Sequence, residues 1–421
     1  MRSDNFHMKQ SFLFTKTSKE PPRDEQSINA KMLSRAGFVD KLMSGVFSYL
    51  PLGLMVLRKI EKIIREEMQN IGGQEVLLPS LHPKSNWDKT GRFKEEEMFK
   101  FKDRKGSEVG LGWTHEEIIT PLAKKFISSY KDFPVYIYQI QNKFRNELRA
   151  KSGLLRGVEF LMKDLYSFHK DEKDLDNFYQ KVQKAYLKIF KRCGLQKQTF
   201  LVAASGGTFS KYSHEFQTIT DYGEDEIYLC PKCKLGVNKE IIEQENFSCV
   251  KCKNKKLEVK KSIEVGNIFK LKDRFSRPFN LFFKDEKGKE SPVLMGCYGI
   301  GLGRLMGAVV EVCNDERGIV WPKELSPFDI HLVLGSYEKK EVNLATKIYN
   351  DLSRAGLSVL FDDRIGVSLG EKLVDSDLIG ISTRILLSKK SLVNNVAEIK
   401  KRESKMLRLV RLSDLNKFFI I

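Results

Sequence analysis

Arg145 and Glu147 stand two residues apart, and Arg156, Phe160 and Asp164 follow at intervals of four. If residues 143–169 form two strands joined by a basic loop, face alternation groups Arg145 with Glu147 on the first strand. The other three then share one face of the second. Such a face suits a nucleotide: guanidiniums bind phosphates, a carboxylate accepts from an exocyclic amine, and a phenyl ring stacks on a base. Thr114 and Glu117 have the S/T-x-x-E spacing of a capping box, which leaves Glu116 free to meet a cation in an apolar pocket. Arg304 directly follows Gly299-Ile-Gly-Leu-Gly303, where glycines would let the backbone approach a substrate. Cys230-Pro-Lys-Cys233 and Cys249-Val-Lys-Cys252 have the spacing of a tetrahedral, all-cysteine zinc site. With no open position, that metal would be structural. No Ser/His/Asp arrangement suggests a nucleophilic triad.

These groups need elements to position them. A helix is expected over 54–70, with Leu54, Leu57, Ile60, Ile64 and Met68 on one stripe and Gly72-Gly73 as its stop. A strand over 74–78 would end at Pro79. After His169 the pattern is helical to Cys193, with Leu175, Phe178, Val182, Tyr186 and Ile189 on one face. Residues 293–304 read as a strand and a Gly-rich turn, followed by a helix over 305–312. From Pro327 short strands and helices alternate through 329–334, 342–352, 358–361, 369–378 and 384–388, which predicts an α/β unit with a mostly parallel sheet. Residues 1–28 are polar, contain Pro21-Pro22 and read as an extended arm.

At 421 residues the chain has room for two or three cores. Its 73 basic and 55 acidic side chains leave a formal charge of +18, which favours a polyanionic partner such as nucleic acid. No apolar run is long enough to cross a bilayer, since the longest, 46–57, is cut by Pro51 and Gly53. Residues 11–14 are too short for a secretory core. Four of the seven cysteines fall in the two C-x-x-C pairs, which points to metal ligands in a reducing compartment and not to a disulfide framework. A cytoplasmic location is expected, with an organelle matrix as the alternative.

The order F-R-N-E, variable loop, R-x-x-x-F-x-x-x-D resembles motif 2 of the class II aminoacyl-tRNA synthetases. The words around it, above all the MKDLYSFH run ending at His169, resemble the prolyl-tRNA synthetases. The 54–79 helix and strand resemble motif 1, which builds a dimer interface, and 293–304 resembles motif 3. The resemblance implies an α+β catalytic domain with an antiparallel sheet (1–227 and 263–326), interrupted by a small zinc-ribbon-like insertion (228–262). A C-terminal α/β anticodon-binding domain (327–421) would follow, so the fold class is α/β.

By matching position, Arg145 would hold the ATP α-phosphate, Glu147 the adenine amine, Arg156 the γ-phosphate and Phe160 the adenine ring, and Gly301 and Arg304 would lie against ATP. Thr114, Glu116 and Arg145 would bind L-proline, with His169, His214, Glu215 and Cys297 as further pocket residues; His214 and Glu215 belong to a 205–216 stretch expected to face substrate. Trp113 departs from the family's usual proline. Asp363, Arg364, Lys372, Glu398 and Arg402 match positions near the anticodon. The implied reaction converts L-proline and Mg2+-ATP to prolyl adenylate and then charges the 3′-terminal adenosine of tRNA(Pro), in a homodimer with no membrane association. Bacterial-type relatives commonly carry an editing domain between motifs 2 and 3, where this chain has only the cysteine-bearing segment. Editing in cis is therefore not expected. Synthetases for threonine, serine or glycine, and a non-catalytic tRNA-binding relative, are the rival readings.

Overall fold

The computed structural model describes residues 7–148, 150, 152–206 and 212–419. The chain divides into two compact units. One holds Lys41–Phe47 and Ile60–Ala308; the other holds the residues up to Asp40, Ser48–Lys59 and Val309 onward.

The first unit is built on a nine-stranded sheet. Its order is Tyr212–Ile219, Thr199–Ser205, Gly236–Asn238, Asp225–Leu229, Glu258–Lys272, Leu294–Gly301, Glu159–His169, Val135–Phe144 and Gln74–Glu75. The central pairings are antiparallel, with Phe160 opposite Lys143 and Asp164 opposite both Gln139 and Gly299. Tyr212–Ile219 also pairs with Glu258–Lys272, so five strands close into a ring at one end. The Glu172–Arg192 helix opens with the Asp171 carboxylate accepting from the Asp174 N–H, and it buries Leu175, Phe178, Val182, Tyr186 and Ile189 as the periodicity predicts.

The second unit carries a six-stranded sheet ordered His7–Lys9, Val359–Asp362, Ile330–Leu334, Thr383–Leu387, Val396–Lys401 and Leu407–Arg411. Its first three pairings are parallel and its last two antiparallel. The expected α/β pattern is present. Ile330, Leu332, Ile348, Leu352, Phe361 and Ile385 lie in its core.

Four expectations change. The N-terminal segment is not only an arm, because His7–Lys9 pairs with Val359–Phe361 and extends the parallel sheet. The long helix begins at Pro51; Leu57, Ile60, Ile64 and Met68 are buried, whereas Leu54 is 36% exposed and falls off the stripe. The strand after it is only Gln74–Glu75. The glycines before Arg304 form no turn: Gly296, Gly299 and Gly301 lie within the Leu294–Gly301 strand, and the Leu302–Val312 helix starts at once. At Gly296 a Cβ would meet the Tyr298 hydroxyl at 2.3 Å, so glycine there serves close packing.

Candidate functional site

A cavity of about 450 Å³ opens over the first unit's sheet, a volume typical of small-molecule sites. Phe160, Met162, Asp164 and Tyr166 line it from one strand, at the period-2 spacing of a single face. Ser262 to Leu271 and Gly299 to Arg304 line it from the neighbouring elements. Thr114 and Glu116 enter from the start of the Glu116–Ala123 helix.

Arg145 and Glu147 lie just past the end of the Val135–Phe144 strand, and Arg156 just past a short 3-10 turn, so they sit in loops and not on strands. The chain at Arg145 is nonetheless fixed, its N–H donating to Val158 O at 2.8 Å. The loops still bring the expected set together. Arg156 donates to Glu147 at 2.9 Å and to Glu224 at 3.3 Å. The Arg145 guanidinium lies 5.3 Å from the Phe160 ring centroid. Its side chain makes no hydrogen bond among the described residues, and its Nε is buried without a partner. Burial, followed by the like charge of Arg304, pulls its pKa below the ordinary arginine value. Arg304 is held by the Leu155 carbonyl at 2.8 Å and by Glu264 at 3.4 Å. Two guanidiniums with one carboxylate in ion-pair range, facing one cavity beside an aromatic plate, have the chemistry to take a phosphate joined to a flat base.

The other end of the cavity is built around buried carboxylates. Thr114 Oγ1 donates to Glu116 Oε2, and the Cys297 thiol lies 3.3 Å from Oε1. Burial, and then the Glu116 charge, push the Cys297 pKa well up, so it is a neutral thiol. The capping-box expectation fails: His115 is the N-cap, without a side-chain bond, and Glu117 is instead buried against Arg92 at 2.9 Å and Thr90 at 2.9 Å. Arg92 also lies 3.5 Å from Glu116, and its guanidinium sits 4.8 Å from the Trp113 ring and 5.5 Å from Trp87. Burial raises the Glu117 pKa to about 7, although Arg92 opposes it. Asp164 anchors the floor: burial would raise its pKa, but Lys143 at 2.7 Å and Gln139 at 2.9 Å hold it low.

Three expected pocket residues do not reach the cavity. His169 is on the opposite face of its strand from Phe160 and Asp164, by simple parity, and is bound to Asp174 and Ser167 at 2.8 Å each. His214 contacts the Tyr179 hydroxyl at 2.9 Å, and Glu215 accepts from Gln217 and Asn238 on a strand behind the cavity wall. Residues 207–211 of that stretch lie outside the described residues. Sequence reading missed Arg92, Glu97, Glu224, Glu264 and Asn267, all of which line the cavity or hold its carboxylates. The W-D-K-T-G-R word ending at Arg92 was the available signal for one of them.

The four cysteines converge, their sulfurs within 4.8 Å of one another. Separations of 3.4 Å (Cys233–Cys249), 3.6 Å (Cys230–Cys252) and 3.8 Å (Cys233–Cys252) approach the ~3.8 Å edge of a tetrahedron with Zn–S bonds of about 2.3 Å. The backbone N–H of Cys233 is the chief influence lowering the Cys230 pKa to about 6. At Cys233, Leu235's N–H lowers the pKa, but burial and the neighbouring sulfurs raise it to about 12. Crowded thiols resist full ionisation unless a cation neutralises them, and a zinc ion would do so. The segment is not a separate appendage: Gly236–Asn238 and Asp225–Leu229 are sheet strands, and Glu258–Lys272 runs through the expected boundary at 262.

In the other unit, the residues expected near an anticodon are engaged internally. Lys372 is buried, donating to Leu334 O at 2.9 Å, and Arg402 is buried in a two-pronged pair with Asp315 at 2.6 and 2.8 Å. Neither side chain is presented to a base. Arg364 pairs with Asp362 and Asp375, Asp363 accepts from Ser11, and Glu398 accepts from Ser388. These last three remain partly exposed.

A family model described as tRNA synthetase class II core domain (G, H, P, S and T) matches residues 99–313, and one described as anticodon binding domain matches 330–420. The chain is 38% identical over 413 residues to the proline–tRNA ligase of Wolbachia pipientis wMel, covering 94% of this chain and 95% of that one. It belongs to the proline–tRNA ligase family. A longer proline–tRNA ligase, from Syntrophomonas wolfei, is 33% identical, with 96% of this chain and 97% of that protein covered. Its 557-residue alignment exceeds this chain's 421 residues, so that ligase carries residues inside the aligned span that this chain lacks. The fold is that of the Giardia lamblia prolyl-tRNA synthetase solved with prolyl-adenylate, with a TM-score of 0.77 at 20% identity, covering 92% of this chain and 75% of that one. Among the described residues, no helix is long and apolar enough to cross a membrane.

Proposed function

We propose that this chain activates L-proline with ATP and transfers the prolyl group to the 3′-terminal adenosine of tRNA(Pro), without an editing domain of its own. The observation that carries the reading is one cavity that joins an undercompensated pair of guanidiniums, Arg145 and Arg304, to a buried Thr114–Glu116–Cys297 cluster.

The base of ATP stacks on Phe160, and Arg145 meets the α-phosphate, where charge develops as the proline carboxylate attacks. Arg145 acts as a preorganised electrostatic donor, and the in-line geometry comes from positioning, with no protein nucleophile required. Arg156 and Arg304 hold the leaving pyrophosphate, Glu147 accepts from the adenine amine, and the Gly301 backbone lies against the nucleotide. For Glu147 to do so, Arg156 must exchange part of its present bond to Glu147 for phosphate oxygens. Glu116, oriented by Thr114, takes the secondary ammonium of proline, and neutral Cys297 closes the apolar side of the ring. Arg92 sets a cation beside both buried glutamates, 3.5 Å from Glu116 and 2.9 Å from Glu117. Mg2+ accompanies ATP and supplies charge neutralisation on its phosphates.

The cysteine cluster binds one structural zinc. Along the sequence the limits are 1–227 with 263–326 for catalysis and 327–421 for anticodon binding, with 228–262 a cysteine-bearing insertion whose strands share the catalytic sheet; Asp363, Arg364 and Glu398 are the partly exposed anticodon candidates. Leu77 and Leu81, 76% and 58% exposed in the segment that follows the motif 1-like helix, support a homodimer through that segment. The compartment is the cytoplasm.

The test is amino-acid-dependent exchange between ATP and pyrophosphate with proline, alanine, cysteine, threonine, serine and glycine. Exchange with proline far above the rest is expected. Preference for another amino acid would remove the prolyl assignment, and no exchange in a folded, zinc-loaded protein would leave only a tRNA-binding role. Deacylation of preformed alanyl-tRNA(Pro) by the purified chain would overturn the absence of editing.

A further inference from the structure

The cysteine segment contains a short internal repeat. Cys230-Pro-Lys232-Cys233-Lys234 and Cys249-Val-Lys251-Cys252-Lys253 share the pattern Cys-x-Lys-Cys-Lys. Each closes the same turn, with Lys234 N–H donating to Cys230 O and Lys253 N–H to Cys249 O, both at 2.9 Å. In each the closing residue adopts a left-handed backbone, φ +58° at Lys234 and +56° at Lys253. Glycine takes that conformation without steric cost, and an L-residue does not. Both knuckles nevertheless place a lysine there.

Lys232, Lys234, Lys251, Lys253, Lys255 and Lys256 are all exposed, and none forms an ion pair among the described residues. Neighbouring Lys239 and Lys260, by contrast, pair with Glu226 and Glu258. Residues 228–262 hold nine lysines against four glutamates, an excess of five that outlasts the double negative charge of four thiolates on a divalent ion. The lysines are not needed as donors to sulfur. The Cys233 N–H and the Asn254 amide, the latter 3.6 Å from Cys230 Sγ, do that work.

The knuckles are rigidly mounted near the cavity. Leu229, which precedes Cys230, pairs with Glu258; four residues along the same antiparallel ladder, Asp225 pairs with Ser262, and both of these line the cavity. Four residues of strand span about 13 Å. An RNA whose 3′-terminal ribose enters the cavity has its preceding nucleotides within reach of this neighbourhood.

We propose that the twin knuckles form a phosphate-gripping surface for the acceptor end of the tRNA, with the metal holding two lysine-bearing turns at a fixed spacing. The contact is to the sugar–phosphate backbone and carries no base preference, as flexible point charges on turns imply. This rests on the tRNA-charging reading above.

The test uses the full chain with zinc and the variant K232Q/K234G/K251Q/K253G. The two glycines remove charge while relieving the backbone, so weaker binding cannot be put down to a strained fold; zinc content per chain and thermal melting check this. Binding is read by fluorescence anisotropy with tRNA(Pro) transcript and with a minihelix of its acceptor stem ending in CCA. The expected result is affinity weakened about tenfold or more for both RNAs, with the salt dependence shallower by about 0.7–0.9 for each phosphate that a lysine no longer neutralises. Proline-dependent pyrophosphate exchange, which needs no RNA, stays within about twofold. Unchanged affinity and salt slope would overturn the proposal, as would weakening seen with the full tRNA and not with the minihelix. Failure of the prolyl reading would appear separately, as no proline-dependent exchange in the unsubstituted chain, while the binding comparison still decides the role of the lysines.

Discussion

Replacing Arg145 with methionine should move stability and activity in opposite directions. Its guanidinium is enclosed beside Arg304 with a buried, unpartnered Nε, and folding already disfavours its charge, first through burial and then through Arg304. Arg145→Met removes the cation that lies 5.3 Å from the Phe160 ring, an interaction of about 0.5–2 kcal/mol. The thioether restores about 0.3–1.5 kcal/mol against the same ring. The two ring interactions therefore nearly cancel, and removal of the undercompensated charge decides the sign. A gain on the order of 1 kcal/mol is expected, or about 1–2 °C in melting temperature. Activation should behave oppositely. Loss of one preorganised donor at a developing oxyanion costs about 10²–10³ in rate, or about 2.7–4 kcal/mol. Thermal melting of the apo protein and proline-dependent pyrophosphate exchange at saturating substrate measure the two effects. A variant that melts below the parent would refute the charge argument, and one that exchanges normally would refute the assignment of Arg145 to the α-phosphate.

Glu117 predicts a pH dependence of stability. Its folded pKa of about 7 lies above the ordinary 4.5, so the folded chain keeps a proton that the unfolded chain releases, and stability falls as pH rises from about 4.5 to about 7. The full fall is about 3 kcal/mol; urea midpoints across that window should show it, and Glu117→Gln should flatten the curve, whereas an unchanged slope would place the titration elsewhere. The purified chain should carry one zinc, and Cys252→Ser should lose most of it and make residues 228–262 more sensitive to limited proteolysis. A metal-free parent chain indifferent to chelators would contradict the zinc assignment.

Much of the site was legible because its chemistry lies in local words. Arg145, Glu147, Arg156 and Phe160 fall within one stretch, and their types state what they can bind wherever the strand happens to end. Cysteine spacing likewise encodes the knuckles, since a tight turn needs only its own residues and a metal. Helical periodicity placed Leu175, Phe178, Val182, Tyr186 and Ile189 on the buried face of Glu172–Arg192, which Tyr179, Ala185 and Phe190 widen. Parity along a strand was equally available, and it would have set His169 apart from Phe160 and Asp164.

Other features depended on partners distant in sequence. Thr114 and Glu117 have capping-box spacing, yet Arg92 draws Glu117 into a buried ion pair, because an unpaired buried guanidinium costs more than an unfilled cap. Lys372 and Arg402 look like solvated cations in sequence and are buried only because Leu334 O and Asp315 accept from them. The strand made by His7–Lys9 exists only beside Val359–Phe361, some 350 residues away. Residue type and short spacing thus establish which groups can meet a nucleotide, an amino acid and a metal, because that chemistry is carried within a few consecutive residues. Which charges are neutralised and which are left facing the cavity is settled only by packing, because burial and counter-charge arise where segments far apart in the chain come together.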